Sequence, residues 1–158
     1  MSEHVATIRW QRQGADFASN QYSRAHRWSF DGGAEIAASS SPSVVPVPLS
    51  DAGAVDPEEA FVASLSSCHM LWFLSIARTR GFVVEEYGDR AVGRMGRDAH
   101  GKVAMLEVLL RPEVRFASTH QPDGEQLDAM HHAAHTSCFI ANSVRCEVRC
   151  EAQLTAQD

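Results

Sequence analysis

No run of lysine or arginine interrupts this sequence, and acidic residues outnumber basic ones by 20 to 14, for a formal net charge of −6. A chain of that sign without a local basic patch is a poor fit to sequence-independent nucleic-acid binding, so no nucleic-acid partner is expected. The first residues, MSEHVATIRWQRQ, lack a basic leader followed by an apolar segment. The longest strongly apolar stretch, CHMLWFLSIA, falls well short of the roughly 20 residues of a bilayer span. The expectation is a cytoplasmic, soluble protein with no membrane partner. Also missing are a GxGxxG turn, a Walker-type loop, a GxSxG elbow, an HExxH pair and a CxxC knuckle. Without them, nucleotide binding, triad hydrolysis and the commonest zinc motifs have no anchor. There is no internal repeat and no low-complexity tail.

What remains is a chain of 158 residues, 44% hydrophobic, enough for one core and too short for two comfortable domains, so residues 1–158 read as a single domain. HRWSFDGGAEIAAS reads as two short strands joined at Asp31-Gly32-Gly33, where glycine accepts the positive φ of a tight turn. With the preceding HVATIRWQRQ this predicts a β-meander. Residues 39–59 are rich in serine and carry Pro42, Pro46, Pro48 and Pro57, a loop composition. Asp56-Pro57-Glu58-Glu59 then supplies an N-cap, a proline at the first helical position and acidic residues where the helix dipole favours them.

The helix that follows repeats Phe61, Leu65, Cys68, Trp72 and Ile76 at helical spacing and stops at Arg78, Arg80 and Gly81, which predicts a central core helix. FVVEEYGDRAVGRMG and KVAMLEVLLRPEVRF read as two long antiparallel strands with a turn at Asp98 to Gly101. PDGEQLDAMHHAAHTSC reads as a second helix and NSVRCEVRCEAQLT as a closing strand. The order is that of an α+β fold with antiparallel sheets on two central helices, without βαβ alternation.

Four cysteines stand at 68, 138, 146 and 150. Cys146 and Cys150 share one strand face with Val144 and Val148, which reads as core and carries no chemistry. Cys68 and Cys138 differ because helix boundaries and histidines flank them, yet on residue type alone each fits a small core residue as well as a reactive thiol. His131, His135 and Cys138 share a helical face that His69 and Cys68 could complete as a metal site. The absence of a knuckle motif argues against it, so neither a metal nor a cofactor is expected. Phe61, Met70 and Trp72 fit either core packing or a pocket beside Cys68.

DPEEAFVASLSSCH places Glu58 ten positions before Cys68, AHTSCFIANSV carries Cys138 seventy positions later, and YSRAHRWSFDGG forms an arginine-bearing N-terminal hairpin. Together these resemble the OsmC/Ohr family of osmotically induced and organic hydroperoxide resistance proteins, in its OsmC-like branch. The resemblance implies an intertwined homodimer and a thiol-dependent peroxidase whose substrate is an organic hydroperoxide and whose reductant is a thiol or dithiol. It implies Cys68 as peroxidatic cysteine, Cys138 as resolving cysteine, Arg24 as the thiolate-stabilising arginine and Glu58 as the acid that orients it, with Arg27 as the rival of Arg24. The alternative is an OsmC-like binding or structural protein with inert or metal-binding thiols. CFIANSVRC stands where the dedicated hydroperoxide reductases carry a proline-containing segment, and His69 where they carry an aromatic residue. On one straight helix Glu58 and Cys68 would be about 15 Å apart. That predicts a helix break at Ser64, Ser66 and Ser67, leaving Cys68 near a new helix N-terminus.

Overall fold

A computed structural model describes residues 2–118 and 120–154. The chain divides into two compact units, one up to Ala60 and one from Phe61 on. In the first, β1 (Ala6–Arg9), β2 (His26–Phe30) and β3 (Glu35–Ala38) form the expected antiparallel meander. The β2–β3 turn carries Gly33 at φ 86°, a conformation glycine adopts without steric cost. The serine- and proline-rich segment returns to the sheet through the Ala38–Val55 bridge. Asp56 and Glu59 then close a reciprocal capping box: Glu59 N–H donates to Asp56 Oδ1 at 2.7 Å and Asp56 N–H to Glu59 Oε2 at 3.2 Å. This starts α1 (Pro57–Thr79), as its sequence requires.

The helix does not break at its serines. Ser64 donates its hydroxyl back to the Phe61 carbonyl at 2.8 Å and Ser66 donates outward to Asp89 Oδ2 at 2.5 Å. The backbone ladder is left intact, and α1 runs 23 residues without interruption. It ends in a Schellman pair, Gly81 N–H to the Arg78 carbonyl and Phe82 N–H to the Ala77 carbonyl, with Gly81 at φ 84°. By length and composition α1 could cross a membrane. Its buried stripe Leu65, His69, Phe73 and Ala77 makes it instead a core helix of the second unit. That stripe lies one residue beyond the expected Cys68–Trp72–Ile76 line.

Each predicted long strand is two strands. β4 (Val84–Asp89) continues as β5 (Val92–Arg97), and β6 (Val103–Leu110) as β7 (Pro112–Phe116), with the turn at Asp98 to Gly101 as expected. β5 pairs with β6, and β4 with β7, both antiparallel. The closing segment corrects the all-antiparallel expectation: β8 (Glu147–Cys150) adds to β6 and β9 (Gln153–Leu154) to β7, both parallel. The crossover through α2 (Gly124–Ser137) is what allows the chain to re-enter in the same direction.

Two apolar clusters result. Phe73, Ala77, Phe82, Val114, Phe116, Leu127, Met130 and Ala134 form one. Leu65, Val108 and Leu110, with Phe61, Ile140, Val144, Cys146, Val148 and Cys150 around them, form the other. Gly93 is required where β5 approaches α1, since a Cβ there would lie 2.6 Å from Val62 Cγ2. Phe73 is fully buried and makes ring contacts with Tyr87, Phe116 and His131. Replacing Phe73 by Ala is expected to lower unfolding stability by about 3–5 kcal/mol, measured as the shift in urea midpoint at unchanged slope.

Candidate functional site

In the second unit α1 presents Cys68 and the end of α2 presents Cys138. Cys138 is the C-cap of α2, its N–H donating to the His135 carbonyl, and its sulfur accepts from Ala141 N–H at 3.4 Å. The short helix at Ala141–Ser143 thus holds the thiol in place. Burial first, and then the neighbouring Cys68 side chain, push the Cys138 pKa up to about 11. All four cysteines are free thiols, Cys138 buried and Cys68 half-buried. The two cysteines separated by seventy residues in sequence thus come close enough to interact.

Cys68 borders a groove of about 570 Å³ lined by Ser64, Ser67, Leu71, Trp72, Phe139 and Ile140. Leu71 and Phe139 are 61% and 68% exposed, and Phe139 packs edge-on against Trp72, ring centroids 5.4 Å apart. Of the three apolar residues the sequence offered as pocket wall, Trp72 lines the groove, whereas Phe61 packs into the second apolar cluster and Met70 is not among the lining residues. Cys68 lies in the middle of α1, so the expected break does not place it at a new N-terminus of that helix.

In the first unit Arg24 and Glu58 border one cavity of about 560 Å³, walled by Trp10, Phe17 and Tyr22. Arg24 is held from three directions: Nη1 donates to the Asn20 and Tyr22 carbonyls, Nη2 to Asn20 Oδ1, and its guanidinium carbon lies 3.8 Å from the Tyr22 ring centroid. Asn20 sits at φ 63°, a left-handed conformation that asparagine tolerates. Arg27 instead pairs across the hairpin with Glu35 at 3.0 Å, both side chains more than half exposed. Of the two candidate arginines, Arg24 is the one that shares a cavity with Glu58.

The metal-ligand face read from sequence is partly realised with different partners. His69 and His131, both buried, stack with centroids 5.3 Å apart and share a 3.0 Å hydrogen bond between His69 Nε2 and His131 Nδ1. The thiol beside them is Cys150, 3.8 Å from His69 Nε2, and not Cys138. Burial pushes the pKa of His69 down to about 4, reinforced by His135 and opposed by Asp89. His131 falls to about 3 through burial and its neighbour His69. Both imidazoles are therefore neutral at physiological pH. Cys150, read as plain core, was the residue missed; its contact with His69 spans 81 positions and depends on the parallel β6–β8 pairing.

The family model described as OsmC-like protein matches residues 50–153. No match is found among curated proteins. Among solved structures, the chain is similar to an OsmC-like protein of unknown function from Vibrio cholerae, at 57% identity over 97% of this chain and 100% of that one, TM-score 0.95. It shares its fold with an organic hydroperoxide resistance protein from Elizabethkingia anophelis, at 16% identity over 99% and 98% of the two chains, TM-score 0.71. It also shares its fold with the organic hydroperoxide resistance protein OhrB of Bacillus subtilis, at 17% identity over 98% of each, TM-score 0.64.

With its thiol pKa near 11, only about one Cys138 in a thousand is thiolate at pH 8. Brief iodoacetamide treatment of the reduced protein at that pH is expected to alkylate the more accessible Cys68 while leaving the buried Cys138 unmodified, read by peptide mass spectrometry; labelling of Cys138 first would contradict its raised pKa.

Proposed function

The chain belongs to the OsmC-like protein family, and from that premise we propose that it is a thiol-dependent peroxidase that reduces organic hydroperoxides. The observation that carries this reading is that the free thiol Cys68, at the edge of an apolar groove, has the free thiol Cys138 near enough to interact with it. In the proposed reaction the Cys68 thiolate attacks the distal peroxide oxygen. The O–O bond breaks, the alkoxide takes a proton to leave as an alcohol, and Cys68 is left as sulfenic acid. Cys138 then attacks that sulfur, water leaves, and a Cys68–Cys138 disulfide forms. An external thiol or dithiol reduces the disulfide by exchange.

Leu71, Trp72, Phe139 and Ile140 favour a substrate with an organic tail over hydrogen peroxide, because apolar surface leaves water when it binds. Arg24 is proposed as the guanidinium that favours the thiolate, with Glu58 as the acid that orients it. On the unbroken α1, Glu58 and Cys68 are about 15 Å apart along the axis, so one guanidinium does not serve both within a chain. The proposed working unit is therefore an intertwined homodimer, in which Arg24 and Glu58 of one subunit serve Cys68 of the other. The exposed apolar side chains of Leu71 and Phe139 support such an interface. Four free thiols fit a reducing cytoplasm.

Replacing Cys68 by Ser is expected to cut cumene or tert-butyl hydroperoxide consumption with dithiothreitol to below about 1% of the unmodified rate; full activity in that variant would end the proposal. Cys138→Ser is expected to keep the first turnover but to form no intramolecular disulfide and to accumulate sulfinic acid under repeated peroxide, detected by mass.

Arg24→Lys removes both the fork of donors and the stacking on Tyr22, so kcat/KM for hydroperoxide is expected to fall about tenfold or more, while Arg27→Lys stays within about twofold. Equal effects of the two substitutions would remove Arg24 from the site.

A further inference from the structure

His69 on α1, His131 on α2 and Cys150 on β8 each bring one potential ligand atom to one cluster, and the three atoms lie within 4.8 Å of one another. We propose that these residues bind a divalent transition-metal ion of the zinc class, with His69 Nε2, His131 Nδ1 and Cys150 Sγ as ligands. Bond lengths of a tetrahedral site place two nitrogens about 3.3 Å apart and a nitrogen and a sulfur about 3.6 Å apart. Two of the corresponding separations here are 3.0 Å for His69 to His131 and 3.8 Å for His69 to Cys150, each within a few tenths of an ångström of those values, and the third is within 4.8 Å.

The donor set suits the ion. Two imidazoles that stay neutral well below pH 7 keep their lone pairs for a metal, and a thiol adds a soft donor. One proton now lies between the rings. When both inner nitrogens turn to the ion, it moves to an outer nitrogen, and both outer nitrogens, His69 Nδ1 and His131 Nε2, are buried without a hydrogen-bond partner among the described residues. The Cys150 S–H bond breaks as the metal–sulfur bond forms, and its proton goes to solvent, so one proton is released per ion bound. No electron is transferred. Asp89 acts on both His69 and Cys150 as a nearby negative charge, while its own oxygens are engaged by Ser66 and the Arg111 N–H. It therefore favours the cation without ligating it. Cys150 is only half-buried, and in the proposal water takes the fourth position.

This site shares no residue with the Cys68–Cys138 pair, and its test does not depend on peroxidase activity. Reduced, metal-free protein is titrated with cobalt(II) and followed by absorbance. One equivalent per chain is expected to give the thiolate-to-cobalt charge-transfer band and the intense visible bands of a tetrahedral ion, and zinc(II) is expected to abolish both by displacement. Cys150→Ser should remove the charge-transfer band, whereas the Cys68→Ser/Cys138→Ser double variant should keep it. His131→Gln should weaken binding at least about tenfold. The titration of the unmodified protein decides the matter even if a variant misfolds. Absence of tetrahedral bands at micromolar protein and cobalt would overturn the proposal, as would a band that survives Cys150→Ser but vanishes in the double variant.

Discussion

The rotation of α1 about its own axis is fixed by one polar contact buried in an apolar setting, the hydrogen bond between His69 and His131. His69 sits one turn after Leu65 and one turn before Phe73 on the buried stripe. Leu65 belongs to one apolar cluster and Phe73 to the other, so the histidine marks the seam between them. A buried imidazole without a partner would cost a few kcal/mol. His131 supplies that partner from α2 and stacks on Phe73 at 4.3 Å. With His69 turned inward, successive helical residues are rotated by about 100°, so Cys68 is carried to the flank where the groove lies. Seven residues, about two turns, beyond His131, Cys138 comes off the end of α2 to meet it.

The capping and turn chemistry was legible in the sequence because its causes are local. Asp56 with Glu59, Gly33 in the hairpin and Gly81 at the end of α1 each occupy a position whose backbone demands that residue. The pairing of Cys68 with Cys138 was legible through family resemblance and not through spacing, since a separation of seventy residues encodes no distance. Arg24 was preferred over Arg27 by alignment alone. What separates them in the structure is that Arg27 has a cross-strand carboxylate, Glu35, whereas Arg24 is tied to Asn20 and Tyr22 beside Glu58.

The misreadings have physical causes of the opposite kind. Serines weaken helices when their hydroxyls compete with the backbone, but Ser66 donates to Asp89, a long-range partner invisible to local reasoning, and the helix survives. The inward stripe was placed one residue early because Cys68 was counted as apolar and His69 as polar; burial of neutral histidine reversed that order. The parallel entry of β8 could not be read from alternation, which is the same for either strand direction. That direction is what brings Cys150 to His69.

The arrangement of the thiols also orders the steps of the proposed reaction. Burial raises the pKa of Cys150 to about 12 and of Cys138 to about 11, so neither competes as a nucleophile toward peroxide, and Cys68 is the cysteine that lines the groove. Two of the influences that raise the Cys138 pKa come from the neighbouring Cys68 side chain. Both depend on Cys68 being reduced. In the proposed cycle, conversion of Cys68 to sulfenic acid replaces the thiol that exerts both influences, while burial continues to act on Cys138. Cys150, whose raised pKa owes nothing to Cys68, has no part in the proposed cycle.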